Sequence, residues 1–219
     1  VSTRVQKILR KRTRKLKVKR LMMENFVNEE GLLRLLPYLC PATLIEIKHR
    51  KSVEPSVVLN LEQVAQLEQW KRAKYCQMLG FFINGPIANW LHFSVLRTRV
   101  ESLSVKEFDM IVQNYIQTKH FVHLEFALIG TDCTLLKDHI NSLAPPELKT
   151  NKPLSARNIY RMNKKQCLFV ALNKLGSATM LTIVKLDISM EEWLLKVLNG
   201  HSVFEVRSED FEVYLKETA

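Results

Sequence analysis

From residue 16 onward the chain alternates two kinds of apolar spacing. Short runs with apolar positions two apart mark strands. Longer runs with apolar positions three and four apart mark helices. Strands are predicted over 16–23, 44–49, 75–82, 98–104 and 121–128, with starts 28, 31, 23 and 23 residues apart. Helices are predicted between them over 29–36, 61–74, 87–93 and 106–118, and a further one over 135–143 follows the fifth strand.

The boundaries carry their own chemistry. Asn28 and Asn60 can accept from orphan N–H groups at helix starts. Pro37 ends the first helix, and Pro86 sits where a missing N–H costs nothing. Ser104 followed by Val105-Lys106-Glu107 has capping-box spacing. A strand followed by a helix, repeating every about 20–30 residues, is the pattern of leucine-rich-repeat-like solenoids. Successive strands joined by a helical crossover run parallel. Strict leucine-rich-repeat consensus is absent, and an ordinary two-layer α/β sandwich is the alternative.

The pattern changes after Pro145-Pro146. Strands are predicted over 159–163, 168–174, 180–186 and 203–207, with a hairpin turn at Asn173-Lys174-Leu175-Gly176. One helix over 190–198 ends at Asn199-Gly200. Phe211, Val213 and Tyr214 are expected to tuck the tail down. The fold expected is α/β: an irregular, leucine-rich-repeat-like solenoid of parallel strands and helices, closed by a C-terminal β-rich cap that covers the exposed edge. One domain is expected over 1–219, made of a basic helix (1–15), strand–helix repeats (16–145) and the cap (146–219).

Composition narrows the class. The chain has 219 residues, 47% of them apolar, enough for a sizeable core. No apolar run approaches the ~18–20 residues of a membrane helix; the best stretch, 75–91, is broken by Gln77, Asn84, Gly85, Pro86 and Asn89. The basic N-terminus lacks the apolar stretch of a secretory signal. A location in the cytoplasm or nucleus, with no membrane partner, is expected. Cys40, Cys76, Cys133 and Cys167 have no metal-ligand spacing and sit in apolar sequence, so free thiols are expected.

The net charge of +11 is local. Residues 1–20 hold ten Lys or Arg and no acid, so the remaining chain carries 23 basic against 22 acidic side chains. Val5, Ile8 and Leu9 give the N-terminal helix an apolar edge that could dock on the body. Lys7, Arg10, Lys11, Arg12, Arg14 and Lys15 form the basic segment, part of a run of nine cations between Lys7 and Arg20. It reads as a solvated helix face, a contact to nucleic acid or another acidic partner, or a nuclear-import signal. No aromatic residues are interleaved, so there is no stacking platform for single-stranded RNA.

No catalytic site is legible. There is no phosphate-binding glycine loop and no nucleophile elbow. His120 and His123 are the one close pair among six His, and a zinc site there would need further ligands. The acidic pairs Glu29-Glu30, Glu191-Glu192 and Glu209-Asp210 lie near helix starts or in a polar tail. Trp70, Trp90 and Trp193 read as core anchors. No cofactor and no metal are expected.

Alternation along the strands places Val18, Ile45, Ile47, Val100, Val122, Leu124 and Phe126 toward the helices. It places Lys17, Lys19, Glu46, Lys48, Gln77, Glu101, His123 and Glu125 outward. This mixed-charge row is the expected recognition surface, against the plain alternative of a solvated sheet face.

Particular residues add a resemblance. Leu67-Glu68-Gln69-Trp70-Lys71-Arg72-Ala73-Lys74 resembles the QWK-x-AK signature of the FTH domain, with Gln69, Trp70, Lys71, Ala73 and Lys74 on the matching positions. The segment from Lys15 to Leu21 is similar to that family's opening strand. Leu35-Leu36-Pro37-Tyr38 with Thr43-Leu44-Ile45-Glu46-Ile47 resembles its next block, and Leu91-His92-Phe93-Ser94 with Arg99 to Val105 the following one. The likeness is close over about residues 8–140 and loose beyond.

The resemblance implies the C-terminal module of nematode-expanded F-box proteins. Such a module selects the protein to be ubiquitinated, while an F-box elsewhere binds Skp1 and the cullin scaffold. A second implied partner class is an RNA-binding translational regulator. The sequence read here carries no F-box, so it is expected to be the recognition module alone or a protein that has lost that segment. The family offers no catalytic residues to carry over, and His92 and Phe93 join the motif residues as structural positions.

Overall fold

The computed structural model describes residues 3–24, 29–50, 58–129, 132–144, 155–175 and 178–187. Its spine is a nine-stranded sheet in the order β1-β2-β4-β5-β6-β9-β8-β7, with β3 paired to β4. The strands are β1 (Arg20–Glu24), β2 (Glu46–Arg50), β3 (Val58–Asn60), β4 (Tyr75–Asn84), β5 (Val95–Val100), β6 (His123–Ile129), β7 (Ala156–Arg161), β8 (Cys167–Leu175) and β9 (Ala178–Leu186). Helices α1 (Thr3–Arg10), α2 (Glu30–Leu35), α3 (Glu62–Ala65), α4 (Glu68–Arg72), α5 (Val105–Gln117) and α6 (Thr134–Leu143) lie between or before them.

Strands β1, β2, β4, β5 and β6 run parallel, as their helical crossovers require. Strands β7, β8 and β9 are antiparallel, and β9 hydrogen-bonds β6. The C-terminal strands therefore continue the same sheet past the last parallel strand, where the sequence predicts a cap closing a solenoid. Among the described residues the result is a mixed sheet in an α/β fold, with β1 and β7 as its two ends.

Strands β2, β4, β5 and β6 are each entered by the same backbone device. The Lys19 carbonyl accepts from the N–H groups of Ile45 and Glu46, at 2.8 and 3.1 Å. The Ile45 carbonyl likewise accepts from Lys74 and Tyr75, that of Lys74 from Ser94 and Val95, and that of Ser94 from Val122 and His123. A forked bond at each crossing locks neighbouring strands into one register.

One face of the sheet is a continuous apolar layer. Ile47, Cys76, Leu96, Leu124, Ile183 and Val170 are register partners across six strands, and all are buried. Met23, His49, Met78, Thr98, Phe126, Leu181 and Leu172 form the next row. Trp70, Phe93, Phe108, Tyr115, Phe121, Leu136 and Ile140 belong to the same core. Each fully buried Val, Leu, Ile, Phe or Met among them stabilises the fold by about 1.5–3 kcal/mol.

Several local expectations change. The predicted helix over 61–74 is two short ones, because Leu67 is extended (φ −72°, ψ 136°). That over 87–93 is one 3-10 turn, Ile87–Asn89, entered through Gly85 at φ 128° and Pro86. Strand β5 begins and ends earlier than predicted, and Ser104 caps α5 instead of closing a strand. The capping box is present, with Glu107 N–H donating to Ser104 Oγ at 3.2 Å and Ser104 N–H donating to Glu107 Oε2 at 2.9 Å.

Asn60 Oδ1 accepts from Glu62 N–H at 3.0 Å. Strand β3 has no counterpart in the sequence reading. It pairs with β4 beyond the point where the β4–β5 register jumps from Met78↔Thr98 to Phe82↔Arg99. That irregularity also moves the buried phase of β4 from Cys76 and Met78 to Phe81 and Ile83.

Leu175 pairs with Ala178 across the expected hairpin, while the turn residue Gly176 lies outside the described residues. So do Asn28, the predicted helix over 190–198, the strand over 203–207, Trp193 and the tail. Ile45 was expected beneath the helices. It precedes β2 and is 37% exposed, because its backbone is used at a forked crossing where the period-two pleat is interrupted. Ile8 is likewise 57% exposed, whereas Leu9 is buried.

Candidate functional site

Opposite the apolar layer the parallel strands present charge. Arg20, Glu46, Tyr75, Val95 and His123 are register partners in one row; Met22, Lys48, Gln77, Arg97 and Glu125 form the next. Arg20 Nε lies 3.3 Å from Glu46 Oε2, and Lys48 Nζ lies 2.7 Å from Glu46 Oε1. Three strands along from Glu46, Arg97 Nε is 3.8 Å and His123 Nε2 is 3.4 Å from Glu125 Oε2. Two carboxylates, each flanked by donors, thus stand on one face with Gln77 between them.

These groups are half-buried. The side chains of Glu46, Lys48, Arg97 and Glu125 are 15, 31, 30 and 27% exposed. A partial loss of water strengthens their mutual attraction relative to fully solvated pairs. Beyond β6 the face turns apolar. Ile159, Cys167, Phe169, Ala171 and Leu186 form a second buried cluster, with Val184 against it.

The structure brings Glu46, Lys48, Gln77 and Glu125 together as expected. Lys17 and Lys19 are exposed but precede β1, and Glu101 is exposed one residue past β5. His123 is a correction: it is fully buried, standing in register between Val95 and Val184 near the middle of the sheet. From that buried position its Nε2 lies 3.4 Å from Glu125 Oε2. Arg20 and Arg97 were missed, since the predicted strands around them were misplaced; alternation with Met22 and with Val95 and Arg99 was the available signal.

The basic segment is unambiguous in exposure: Lys7, Arg10, Lys11, Arg12, Arg14 and Lys15 all face solvent.

The motif residues join consecutive strand–helix units. Gln69 is buried and donates from Nε2 to the Leu39 carbonyl at 2.9 Å. Trp70 is fully buried, donates from Nε1 to the Asn89 carbonyl at 3.2 Å, and meets Trp90 and Phe93 edge-on at 5.3 and 5.1 Å. His92 Nε2–H donates to the Trp70 carbonyl at 2.9 Å, and Asn114 Nδ2 to that of Leu91 at 3.2 Å. Gln69, His92 and Asn114 thus each send a side-chain donor back to the backbone of an earlier unit, while Trp70 sends one forward. Ala73 and Phe93 are buried, Lys71 reaches Glu68 at 3.7 Å, and Lys74 supplies a forked crossing. Desolvation holds the His92 imidazole below its usual pKa, partly offset by its bond to Trp70.

Burial pushes the pKa of the Cys76 and Cys133 thiols up. Cys40, half-buried, is lowered, first by a backbone hydrogen bond at Ala42. Among the described residues, no three His, Cys, Asp or Glu side chains come together, and no helix is long and apolar enough to cross a membrane.

A mixed sheet with helices stacked on one face and paired charges on the other is the architecture of an α/β scaffold. Residues 1–144 match the FTH domain, so the chain belongs to the FTH domain family. The match ends where α6 does, so it takes in the parallel strands and leaves β7, β8 and β9 beyond it. No curated protein and no solved structure matches the chain significantly.

Proposed function

We propose that this FTH domain is a protein–protein interaction module that recruits the substrate of an SCF-type ubiquitin ligase. The observation that carries the reading is the pair of charged rows across β1, β2, β4, β5 and β6, in which Glu46 and Glu125 are each held by flanking donors. Preorganised ion pairs on a rigid sheet discriminate among partners by charge complementarity. The stacked strand–helix units act as a repeat-like platform, and such platforms bind along their exposed sheet face. The module grips its partner and transforms nothing. An F-box outside this chain would dock Skp1 and the cullin.

The test is affinity purification of the full-length protein with mass spectrometry. Recovery of Skp1 and cullin together with a protein lost on charge reversal at Lys48 and Glu125 supports the reading. Failure to recover Skp1, or an interactome indifferent to those substitutions, removes it.

The exposed basic segment favours a second reading, an adaptor for RNA or for an RNA-binding translational regulator. Binding to generic RNA that falls steeply with salt, and vanishes when residues 7–20 are deleted, would support it.

A further inference from the structure

Strand β1 is an end strand. It pairs with β2 and, among the described residues, with no strand beyond. The Lys19 carbonyl points to β2, where it accepts from Ile45 and Glu46. By period-two alternation Leu21 and Met23 do the same, and Met22 and Glu24 direct their backbone N–H and C=O to the outer edge. The strand Arg20-Leu21-Met22-Met23-Glu24 contains no proline and no lysine, and its register with β2 has no bulge, so among the described residues only its short length and its two charges guard the edge. Met22, at the centre, is 59% exposed.

We propose that a second copy of this chain pairs β1 with β1 antiparallel, about a two-fold axis through Met22, fusing two sheets into one. The argument is charge complementarity within a forced parity. Only even-numbered residues offer edge groups, so hydrogen-bonded pairs join even to even. An axis at Arg20 sets Arg20 against Arg20, and one at Glu24 sets Glu24 against Glu24. Axes at Leu21 or Met23 put a charge against Met22.

The axis at Met22 alone sets each Arg20 opposite the Glu24 of the other copy, with Met22 against Met22. Such a surface is self-complementary, as an isologous interface must be. Arg20 keeps its contact with Glu46, because a guanidinium has donors enough for two carboxylates. The pairing also continues the charged rows across the axis, since Arg20 and Met22 belong to them.

Sedimentation analysis of the 219-residue chain tests this, at about 0.15 M salt so that repulsion between the basic segments is screened beyond ~8 Å. A concentration-dependent dimer is expected. Met22→Lys, which places two cations on the axis, and Glu24→Lys, which faces each Arg20 with a cation, should each raise its dissociation constant ~10-fold, given like charges opposed at cross-strand positions. Mixing Glu24→Lys with Arg20→Glu should restore a heterodimer, because each changed residue then faces its opposite. Thermal midpoints near wild type confirm that the variants are folded, as an exposed position allows. A monomer at all concentrations, a dimer indifferent to Met22→Lys and Glu24→Lys, or no rescue on mixing overturns the proposal.

Discussion

Gln69 donates its side-chain amide to the carbonyl of Leu39, thirty residues earlier, at 2.9 Å in the buried seam between α4 and the turn that follows α2. The residue after it, Trp70, faces the other way and bonds the carbonyl of Asn89. Two adjacent residues of the family motif therefore clamp three successive units of the chain. Their chemistry is that of a joint, on the side of the sheet away from the charged rows.

Substituting Gln69→Leu keeps the volume and removes the donor. The Leu39 carbonyl loses its side-chain partner in a dry seam, which should cost about 1–3 kcal/mol. Urea denaturation reads the loss as a lower midpoint. Proteins captured by the folded domain should be unchanged.

Trp70→Ala should cost about 3–5 kcal/mol, because it empties a fully buried site and removes two edge-on ring contacts. Thermal unfolding should shift down by many degrees. A shift of only a degree or two would show that Trp70 is not a packing centre.

Lys48→Glu sets a second carboxylate beside Glu46, and Glu125→Lys sets a second cation beside Arg97. These partly exposed pairs contribute up to about 1 kcal/mol each, so unfolding midpoints should move little. Partner capture should fall sharply, measured by quantitative mass spectrometry against the wild-type chain. Equal capture would exclude this face from recognition.

His92 titrates against its desolvation. Its folded pKa lies below the unfolded value of 6.5, so the neutral form is favoured in the native state. The unfolded chain then binds more protons as pH falls through 6.5, and stability should decline from there toward the folded pKa. Urea midpoints at pH 7.5 and 5.5 test the sign. His92→Gln, which retains a donor for Trp70, should flatten that slope.

How far the sequence reaches can be judged on particular residues. Ser104 and Glu107 announced the start of α5, because a cap uses groups three residues apart. The alternation around Ile47, Leu124 and Phe126 placed those residues toward the helices correctly. Glu46, Lys48, Gln77 and Glu125 fell on the opposite face for the same reason. Ile45 escaped the rule because a forked backbone bond sits where it stands, and β3 escaped it because three residues are too few to show a period.

Local spacing alone thus determined that strands and helices alternate, which faces of the strands are apolar, and which residues carry the family motif. Those properties depend on neighbours within a few positions along the chain. Tertiary structure decided that Arg20 meets Glu46, that Arg97 meets Glu125, that His123 is dry and that, among the described residues, β1 ends the sheet. Each of these depends on cross-strand register, set by hydrogen bonds between residues some 20 to 60 positions apart, where chain spacing carries no geometric information.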